Sequence, residues 1–371
     1  MMTIHHLDTN QKAVLMSRII VAGHLCLDLI PTVHMIPLAD FANAGQLHEV
    51  GEMTIALGGA VANTGLALHL LGANVGLVGL CGNDVIGDLV MSQIRQYGAT
   101  LGDSIQRTDA IATSYSIVVT PGGQDRSFFY FPGTTAALAV YHVTPYLQGA
   151  TWLHIGYPPL LKALMAHDAQ PLISTLCAAH AHTMTTSIDM VVPDPNAPSG
   201  AYDWPRLLPL ILAHVDVFVP SAAEICAMLR PADYARWGHA CDAHIDITYA
   251  QQLCGALIEM GVAVAGIKLG AHGLYVRTAS AQRLMQAQLS PALADQDVWC
   301  PSYPVTVQGT VGAGDACYAG LIVALIANQS LMTVTQLGCA VAACCVEEVD
   351  AVRGIQSMDA TRRRFGIDWR E

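Results

Sequence analysis

Short apolar runs of strand length alternate with longer periodic segments of helix length through most of the chain. The predicted strands cover residues 19–22, 75–80, 152–155, 186–191, 215–219, 262–268 and 274–277. The predicted helices cover residues 63–71, 87–97, 160–181 with an interruption near Pro171, 221–229, 248–260, 313–327 and 333–346. Because strands and helices that alternate are joined by crossover connections, the sequence predicts a mostly parallel sheet between layers of helices.

One region departs from this alternation. Residues 114–131 alternate apolar with small or polar side chains on both sides of Pro121-Gly122-Gly123, which is typical of a β-hairpin that turns at the glycines. Residues 31–50 also lack helical periodicity and are expected to join it. A small sheet outside an α/β core predicts a lid over a binding site, and the alternative is a surface hairpin without function.

Composition narrows the class of protein. The chain has 371 residues, of which 53% are hydrophobic and 12% charged, so a large core is expected and disorder is excluded. A net charge of −12 with only 17 Lys and Arg argues against nucleic acid or an anionic membrane as a partner. Residues 58–83 carry no charge, but their glycines and polar side chains favour a buried helix and strand over a bilayer span.

The eleven cysteines are odd in number and form no CxxC pair. The N-terminus also lacks a basic segment followed by an apolar one. These features favour buried thiols in a reducing compartment and predict a cytoplasmic protein.

A glycine-rich turn leads into the predicted helix at residues 313–327. The turn reads Gly312-Ala313-Gly314-Asp315. Backbone N–H groups at such a helix N-terminus suit an anion, most often a phosphate. Asp315 would repel that phosphate unless it had a proton to remove, which points to phosphoryl transfer; alternatively, Asp315 serves only to cap the helix.

The N-terminal half carries groups that suit a substrate with hydroxyls. Asp28 follows the first predicted strand, and the pair Gly58-Gly59 precedes Asn63. Paired glycines let a ligand approach the backbone, and the carboxylate and amide can bind vicinal hydroxyl groups. Alternatively, Asp28 is a turn residue and Asn63 an N-cap.

Together these motifs carry a family resemblance. The motifs lie at residues 23–28, 58–63, 79–87, 268–273 and 310–315. In this order they resemble the ribokinase-like (PfkB) family of sugar and nucleoside kinases over residues 19–354. The resemblance implies a three-layer α/β/α sandwich with a mostly parallel central sheet and a small β-sheet lid. It further implies one kinase domain over residues 17–360, a lid formed by about 31–50 and 112–131, and an N-terminal extension at 1–16.

The resemblance also implies a reaction, in which the γ-phosphoryl group of ATP moves to a hydroxymethyl group with Mg²⁺ present. Asp315 matches the general base, and the N–H groups around Gly312, Ala313 and Gly314 match the anion hole. The residues that match sugar-binding positions are Asp28, Gly58, Gly59 and Asn63, and Arg126 in the hairpin could reach the substrate or be a solvated turn residue.

Further positions match the nucleotide and metal sites of the family. The residues expected near the nucleotide are Glu224, Lys268, Gly270, Ala271, Gly273, Thr310, Gly312 and Gly314. Glu224 is also expected to hold Mg²⁺ through water. Asp189 is a weaker candidate for the metal and could instead be a structural cap.

Two positions depart from the family pattern. Ser221 replaces the Asn of an Asn-x-x-Glu motif, which weakens the expected metal and phosphate contacts of that helix. Gly309 replaces an Asp that helps to bind a monovalent cation in some members. Activation by such a cation is therefore not expected.

The leading hypothesis is a kinase of a small polyhydroxylated substrate, and the hydroxyl pattern does not identify the sugar. A nucleoside kinase of the same fold is the first alternative, and a non-catalytic sugar or nucleotide sensor is the second. A dinucleotide-binding Rossmann protein is disfavoured, since no GxGxxG follows the first strand. The apolar residues 128–131 suggest a homodimer through the lid, or else packing of the hairpin on its own core.

Overall fold

Two β-sheets of unequal size organise the chain in the computed structural model, which describes residues 9–33, 36–37, 39–40, 44–120 and 127–369. The strands are β1 (Arg18–Gly23), β2 (Cys26–Pro31), β3 (Met53–Gly58), β4 (Asn74–Gly82), β5 (Ile105–Thr108), β6 (Tyr115–Val119), β7 (Ser127–Phe131), β8 (Trp152–Gly156), β9 (Thr185–Asp189), β10 (Val217–Phe218), β11 (Val264–Lys268), β12 (Leu274–Thr278) and β13 (Asp297–Cys300). The helices are α1 (Thr9–Met16), α2 (Ala60–Leu70), α3 (Val85–Tyr97), α4 (Gly133–Ala137), α5 (Val140–Val143), α6 (Ala166–Ala181), α7 (Trp204–Leu212), α8 (Ala222–Leu229), α9 (Pro231–Trp237), α10 (Ile247–Glu259), α11 (Ala281–Gln286), α12 (Ala313–Ile326), α13 (Leu331–Val346) and α14 (Met358–Phe365).

In the described part of the chain, nine strands form the large sheet in the order β13-β12-β11-β10-β9-β8-β1-β4-β5. The pairs from β11 to β5 are parallel, and β12 and β13 add an antiparallel edge. Residues 19–22 of the central β1 are fully buried, as expected for a parallel strand that is covered on both faces. The predicted mostly parallel sheet is therefore confirmed.

Helices cover both faces of this sheet. Successive side chains of β1 point to opposite faces. Ile20 and Ala22 pack into one apolar cluster with residues of α6, α7, α8 and α10. Ile19 and Val21 pack into another cluster with residues of α12 and α13. This arrangement confirms the three-layer sandwich.

The small sheet has four strands within the described residues, in the order β3-β2-β6-β7. Strands β6 and β7 pair antiparallel within the region predicted as a hairpin, and the turn at residues 121–126 lies outside the described residues. The other two strands, β2 and β3, flank the predicted segment 31–50, and β2 overlaps it only at Pro31. Strand β2 begins three residues after the end of β1 and contains Asp28, which therefore lies on a strand of the small sheet and not in a loop.

Two helices that carry predicted site residues begin at glycines with positive φ. Gly59 (φ 86°) precedes α2 and Gly312 (φ 75°) precedes α12, and this backbone region favours glycine. Helix α2 begins three residues before the predicted start, so Asn63 lies within the helix and is not its N-cap. Among the described residues, no helix is both long and apolar enough to cross a bilayer. All eleven cysteines are free thiols, and only Cys177 is exposed.

Candidate active site

Asp315 lies in the first turn of α12 and is only 2% exposed. Its carboxylate accepts three hydrogen bonds from the described residues. Asn63 Nδ2 and the Tyr157 hydroxyl donate to Oδ2 over 3.1 and 2.6 Å, and the Thr64 hydroxyl donates to Oδ1 over 2.9 Å. Donors from α2 and from the end of β8 therefore hold this carboxylate in one orientation.

The loop before Asp315 closely approaches neighbouring groups. A Cβ atom on Gly312 would lie 2.4 Å from the Cβ of Ala351, so its positive φ and the lack of space both require glycine. A Cβ atom on Gly314 would lie 3.0 Å from Lys268 Nζ. The amine of Lys268 thus lies directly beside the N-terminus of α12.

Lys268 forms a buried ion pair at the carboxyl ends of β11 and β9. Its Nζ lies 2.7 and 2.9 Å from the two carboxylate oxygens of Asp189. Burial favours the neutral amine, but the carboxylates of Asp189 and Glu224 outweigh it and raise the pKa of Lys268. A fixed positive charge therefore lies at the helix N-terminus.

Glu224 lies in the first turn of α8. Its carboxylate accepts the Ser221 N–H over 2.6 Å, while its own N–H donates to the Ser221 hydroxyl over 3.3 Å. Burial raises the pKa of Glu224. Ser221 therefore supplies the helix cap at the position where the family motif has Asn.

A large cavity of about 650 Å³ brings many of the predicted residues together. Those that line it are Asp189, Glu224, Lys268, Gly270, Ala271, Gly273, Thr310, Gly312, Ala313, Gly314 and Asp315. Apolar and aromatic residues line it as well, among them Tyr303, Pro304, Val305 and Ala342. The cavity therefore combines charged groups, at Asp315 and Lys268, with apolar surface that suits a flat ring.

A second cavity of about 310 Å³ lies between the small sheet and the loop before α12, and we call it the sheet cavity. Asp28 lines it, and burial raises the pKa of this carboxyl group. A Cβ atom on Gly58 would lie 2.5 Å from Asp28 Oδ2, so these two predicted residues are neighbours. Thr310 lines both cavities, which therefore adjoin at the glycine loop.

Asn63, which is bonded to Asp315, carries a polar atom without a partner. Among the described residues, none offers a hydrogen bond to its buried Oδ1. This oxygen is a candidate to bind a substrate hydroxyl, because buried polar groups are normally paired. On the small sheet, the Tyr130 ring lies 5.3 Å from that of His24, whose pKa is lowered to about 3 by burial.

Two contacts of Asp315 were not predicted from the sequence. Thr64 is adjacent to Asn63, and Tyr157 directly follows β8 at the carboxyl edge of the sheet. Its position after a predicted strand could have identified Tyr157 as a candidate, since ligands of open α/β sheets bind at this edge. Arg126 lies outside the described residues.

The described residues offer no cluster of three or more His, Cys, Asp or Glu side chains for a metal. Both carboxylate oxygens of Asp189, the weaker metal candidate, are paired with Lys268. Glu224 lines the same cavity, and no cationic side chain of the described residues lies at hydrogen-bond distance from its carboxylate. Any metal here would therefore depend on ligands that a substrate or water supplies.

Comparison with known proteins agrees with this geometry. The family model described as pfkB family carbohydrate kinase matches residues 16–358. The chain is 24% identical to 2-dehydro-3-deoxygluconokinase of Bacillus subtilis, over 85% of this chain and 88% of that protein.

Solved structures show the same fold. A fructokinase with bound ATP from Xylella fastidiosa superposes with a TM-score of 0.71 at 20% identity, covering 95% of this chain and 100% of that one. A ribokinase II of Escherichia coli in complex with ATP and Mg²⁺ gives a TM-score of 0.68 at 20% identity, covering 94% and 98%. From its family match and its fold, the chain belongs to the pfkB family of carbohydrate kinases.

Proposed function

We propose that this kinase transfers the γ-phosphoryl group of ATP to a hydroxymethyl group of a sugar, with Asp315 as general base. The observation that carries this proposal is the position of Asp315. Its buried carboxylate lies at a helix N-terminus and lines the large cavity, which adjoins the sheet cavity at Thr310. From there the base would take the proton of a sugar hydroxyl that enters from the sheet cavity, while the phosphates of ATP lie in the large cavity.

In the proposed reaction, Asp315 accepts the hydroxyl proton as the sugar oxygen forms its bond to the γ-phosphorus. The bond between that phosphorus and the β,γ-bridging oxygen breaks, and ADP leaves with its electron pair. Backbone N–H groups at residues 311–315, including those of Gly312, Ala313 and Gly314, stabilise the charge on the phosphoryl oxygens. Such amides need no reorganisation in the transition state, and the positive end of the helix dipole lies behind them.

We place ATP in the large cavity in one orientation. The phosphates would lie near Lys268 and Thr310, beside Gly312 and Gly314. The adenine would lie against the apolar lining, next to Gly270, Ala271 and Gly273, where the chain runs from β11 to β12.

In this site, Mg²⁺ would be held mainly by the ATP phosphates and by water. This fits the ion, since Mg²⁺ keeps several waters and uses few carboxylates. Glu224 would hold the hydrated ion through water, whereas the carboxylate of Asp189 is paired with Lys268. When bound, Mg²⁺ would neutralise charge on the phosphates. Lys268 contributes a fixed positive charge of its own at the same end of the cavity.

Sugar hydroxyls would be bound from the small sheet and α2. Asp28 accepts hydrogen bonds from them, while Gly58 and Gly59 let the sugar approach the backbone. Asn63 is already joined to Asp315 and has a free carbonyl oxygen for a hydroxyl donor. Arg126 is proposed to approach the sugar from the hairpin turn.

The glycine at position 309 is an argument that catalysis needs no monovalent cation. A Cβ atom there would lie 3.1 Å from the Glu348 carbonyl oxygen and 3.2 Å from Val349 Cα. The backbone at residues 348–349 thus lies close to Gly309, the position at which other members have an Asp side chain. We propose that no monovalent cation is needed.

A ligand screen followed by turnover assays tests this function. Nucleotides, ribose, fructose, 2-dehydro-3-deoxygluconate and nucleosides are first tested for a rise in melting temperature. We expect ATP and at least one sugar to raise it, and that sugar to drive ATP consumption at equal rates in K⁺ and in tetramethylammonium salts. Binding without turnover would instead indicate a sensor, and turnover with nucleosides alone a nucleoside kinase. A rate that depends on K⁺ would contradict the cation proposal.

We also propose a homodimer through the small sheet. Phe128 and Phe129 on its edge strand β7 are 56% and 60% exposed, which disfavours packing on the chain's own core. An exposed apolar edge strand favours pairing with a second copy. We expect light scattering to give a dimer mass, and Phe129→Ser to shift it towards the monomer, whereas the exposed Met285→Ser on α11 should not. A wild-type protein that is monomeric at all concentrations would contradict this.

A further inference from the structure

Tyr157 lies where the two proposed substrates must meet. It lines the large cavity beside Asp315, and its hydroxyl donates to Asp315 Oδ2 over 2.6 Å. On the other side, its ring lies 5.8 Å from the ring of His24, which in turn contacts Tyr130 of the small sheet. The hydroxyl of Tyr157 is therefore at the base itself, between the regions proposed for ATP and sugar.

The backbone at Tyr157 is constrained to present this side chain. Its φ of 63° is in the left-handed region, which residues other than glycine rarely adopt. The preceding Gly156 lies against α2, where a Cβ atom would be 1.9 Å from the Cβ of Ala60. The Tyr157 N–H donates to the Asp189 carbonyl over 2.9 Å. Such a conformation persists only where the surroundings impose it, and it is typical of functional sites.

The hydrogen bond has the geometry that a reacting hydroxyl needs. A hydroxyl that gives its proton to a base must first donate a hydrogen bond to it at about this distance. Burial, followed by the charge of Asp315, raises the pKa of Tyr157 well above its usual range, so the phenol keeps its proton. Tyr157 therefore resembles the acceptor hydroxyl in position without being able to react as one.

We propose that Tyr157 determines which acceptor reaches Asp315: its hydroxyl occupies the acceptor position until a sugar hydroxymethyl group displaces it, and so keeps water out. This inference rests on the proposed kinase function. Thr64 and Asn63, both on α2, remain to orient the carboxylate after Tyr157 is displaced. Of the three donors, only Tyr157 lies outside that helix.

The consequence is selectivity between two acceptors. If water took this position, it would give a proton to Asp315, and its oxygen would bond to the γ-phosphorus while the bond to ADP breaks. The products would be ADP and inorganic phosphate, without phosphorylated sugar. Sugar binding instead replaces one hydroxyl donor on Oδ2 by another, at the cost of breaking the Tyr157 hydrogen bond.

Tyr157→Phe tests this inference, because it removes the hydroxyl and keeps the ring. Tyr275→Phe is the matched control, since the Tyr275 hydroxyl also donates to a carboxylate, that of Asp297, over 3.1 Å and away from the large cavity. ATP hydrolysis without sugar, kcat and KM with sugar, and calorimetric sugar affinity are measured for both. Melting temperatures check that each variant folds.

We expect Tyr157→Phe to raise sugar-independent ATP hydrolysis about tenfold, and to tighten sugar binding several-fold with kcat nearly unchanged. These changes correspond to one hydrogen bond to a charged group. Tyr275→Phe should match the wild type. Unchanged hydrolysis and sugar affinity would overturn the inference. A lower kcat at constant KM would overturn it too, because Tyr157 would then merely position the base. A wild-type protein without sugar-dependent ATP consumption would instead refute the proposed function.

Discussion

Asp315→Asn is expected to lower kcat about 10³-fold while the protein stays folded and still binds ATP. The amide cannot accept the hydroxyl proton, and general bases typically contribute about 10²–10⁴-fold to a rate. The substituted side chain keeps its size and one carbonyl oxygen, which can still accept the Thr64 hydroxyl. Sugar-dependent ATP consumption, nucleotide affinity and melting temperature should therefore separate the loss of chemistry from any loss of structure.

Asp88→Asn is the matched control for this experiment. Asp88 also lies in the first turn of a helix, α3, but it is exposed and its carboxylate pairs with Arg107. If Asp315 only stabilised the start of α12, both substitutions would have similar, small effects on turnover. A turnover of Asp315→Asn within tenfold of the wild type would contradict the assignment of Asp315 as the base.

The parts of the site that were predicted from the sequence are those with local signals. Two of them depend on only a few consecutive residues, namely the glycine loop before α12 and the capping box of Ser221 with Glu224. The structure contains both. The alternation of strands and helices likewise predicted the parallel sheet, because each crossover unit is continuous in the chain.

The parts that were missed depend on contacts between distant residues. Tyr157 and Thr64 reach Asp315 across 158 and 251 positions of sequence, and Lys268 reaches Asp189 across 79. Strand β2 was missed for the same reason, since a short strand is defined by its partners β3 and β6 as much as by its own side chains. Local patterns therefore located the loops of the candidate site but not the hydrogen bonds that orient Asp315.

Lys268→Met is expected to reduce the free energy of unfolding by about 3–5 kcal/mol, which is typical when one partner of a buried ion pair is removed. The side chains of Lys268 and Asp189 are 11% and 2% exposed, so the substitution leaves the Asp189 carboxylate buried without its cation. Chemical denaturation measures this loss. The ion pair of Arg364 with Glu347, whose side chains are 34% and 29% exposed, provides the control. Arg364→Met should change stability by less than about 1 kcal/mol.

A double variant separates stability from catalysis at Lys268. In Lys268→Met with Asp189→Asn both charges are gone, and the amide oxygen can still accept the Met190 N–H that Asp189 accepts over 2.9 Å. Most of the lost stability should return, because no unpaired charge remains buried. Turnover should stay about 10²-fold or more below the wild type, since in the proposed reaction the positive charge beside Gly314 stabilises the charge that develops on the phosphoryl oxygens. Recovery of both stability and turnover would show that the ion pair only supports the fold. Recovery of stability alone would place the Lys268 ammonium in the phosphoryl-transfer step, where it would act beside the helix N-terminus that presents Asp315.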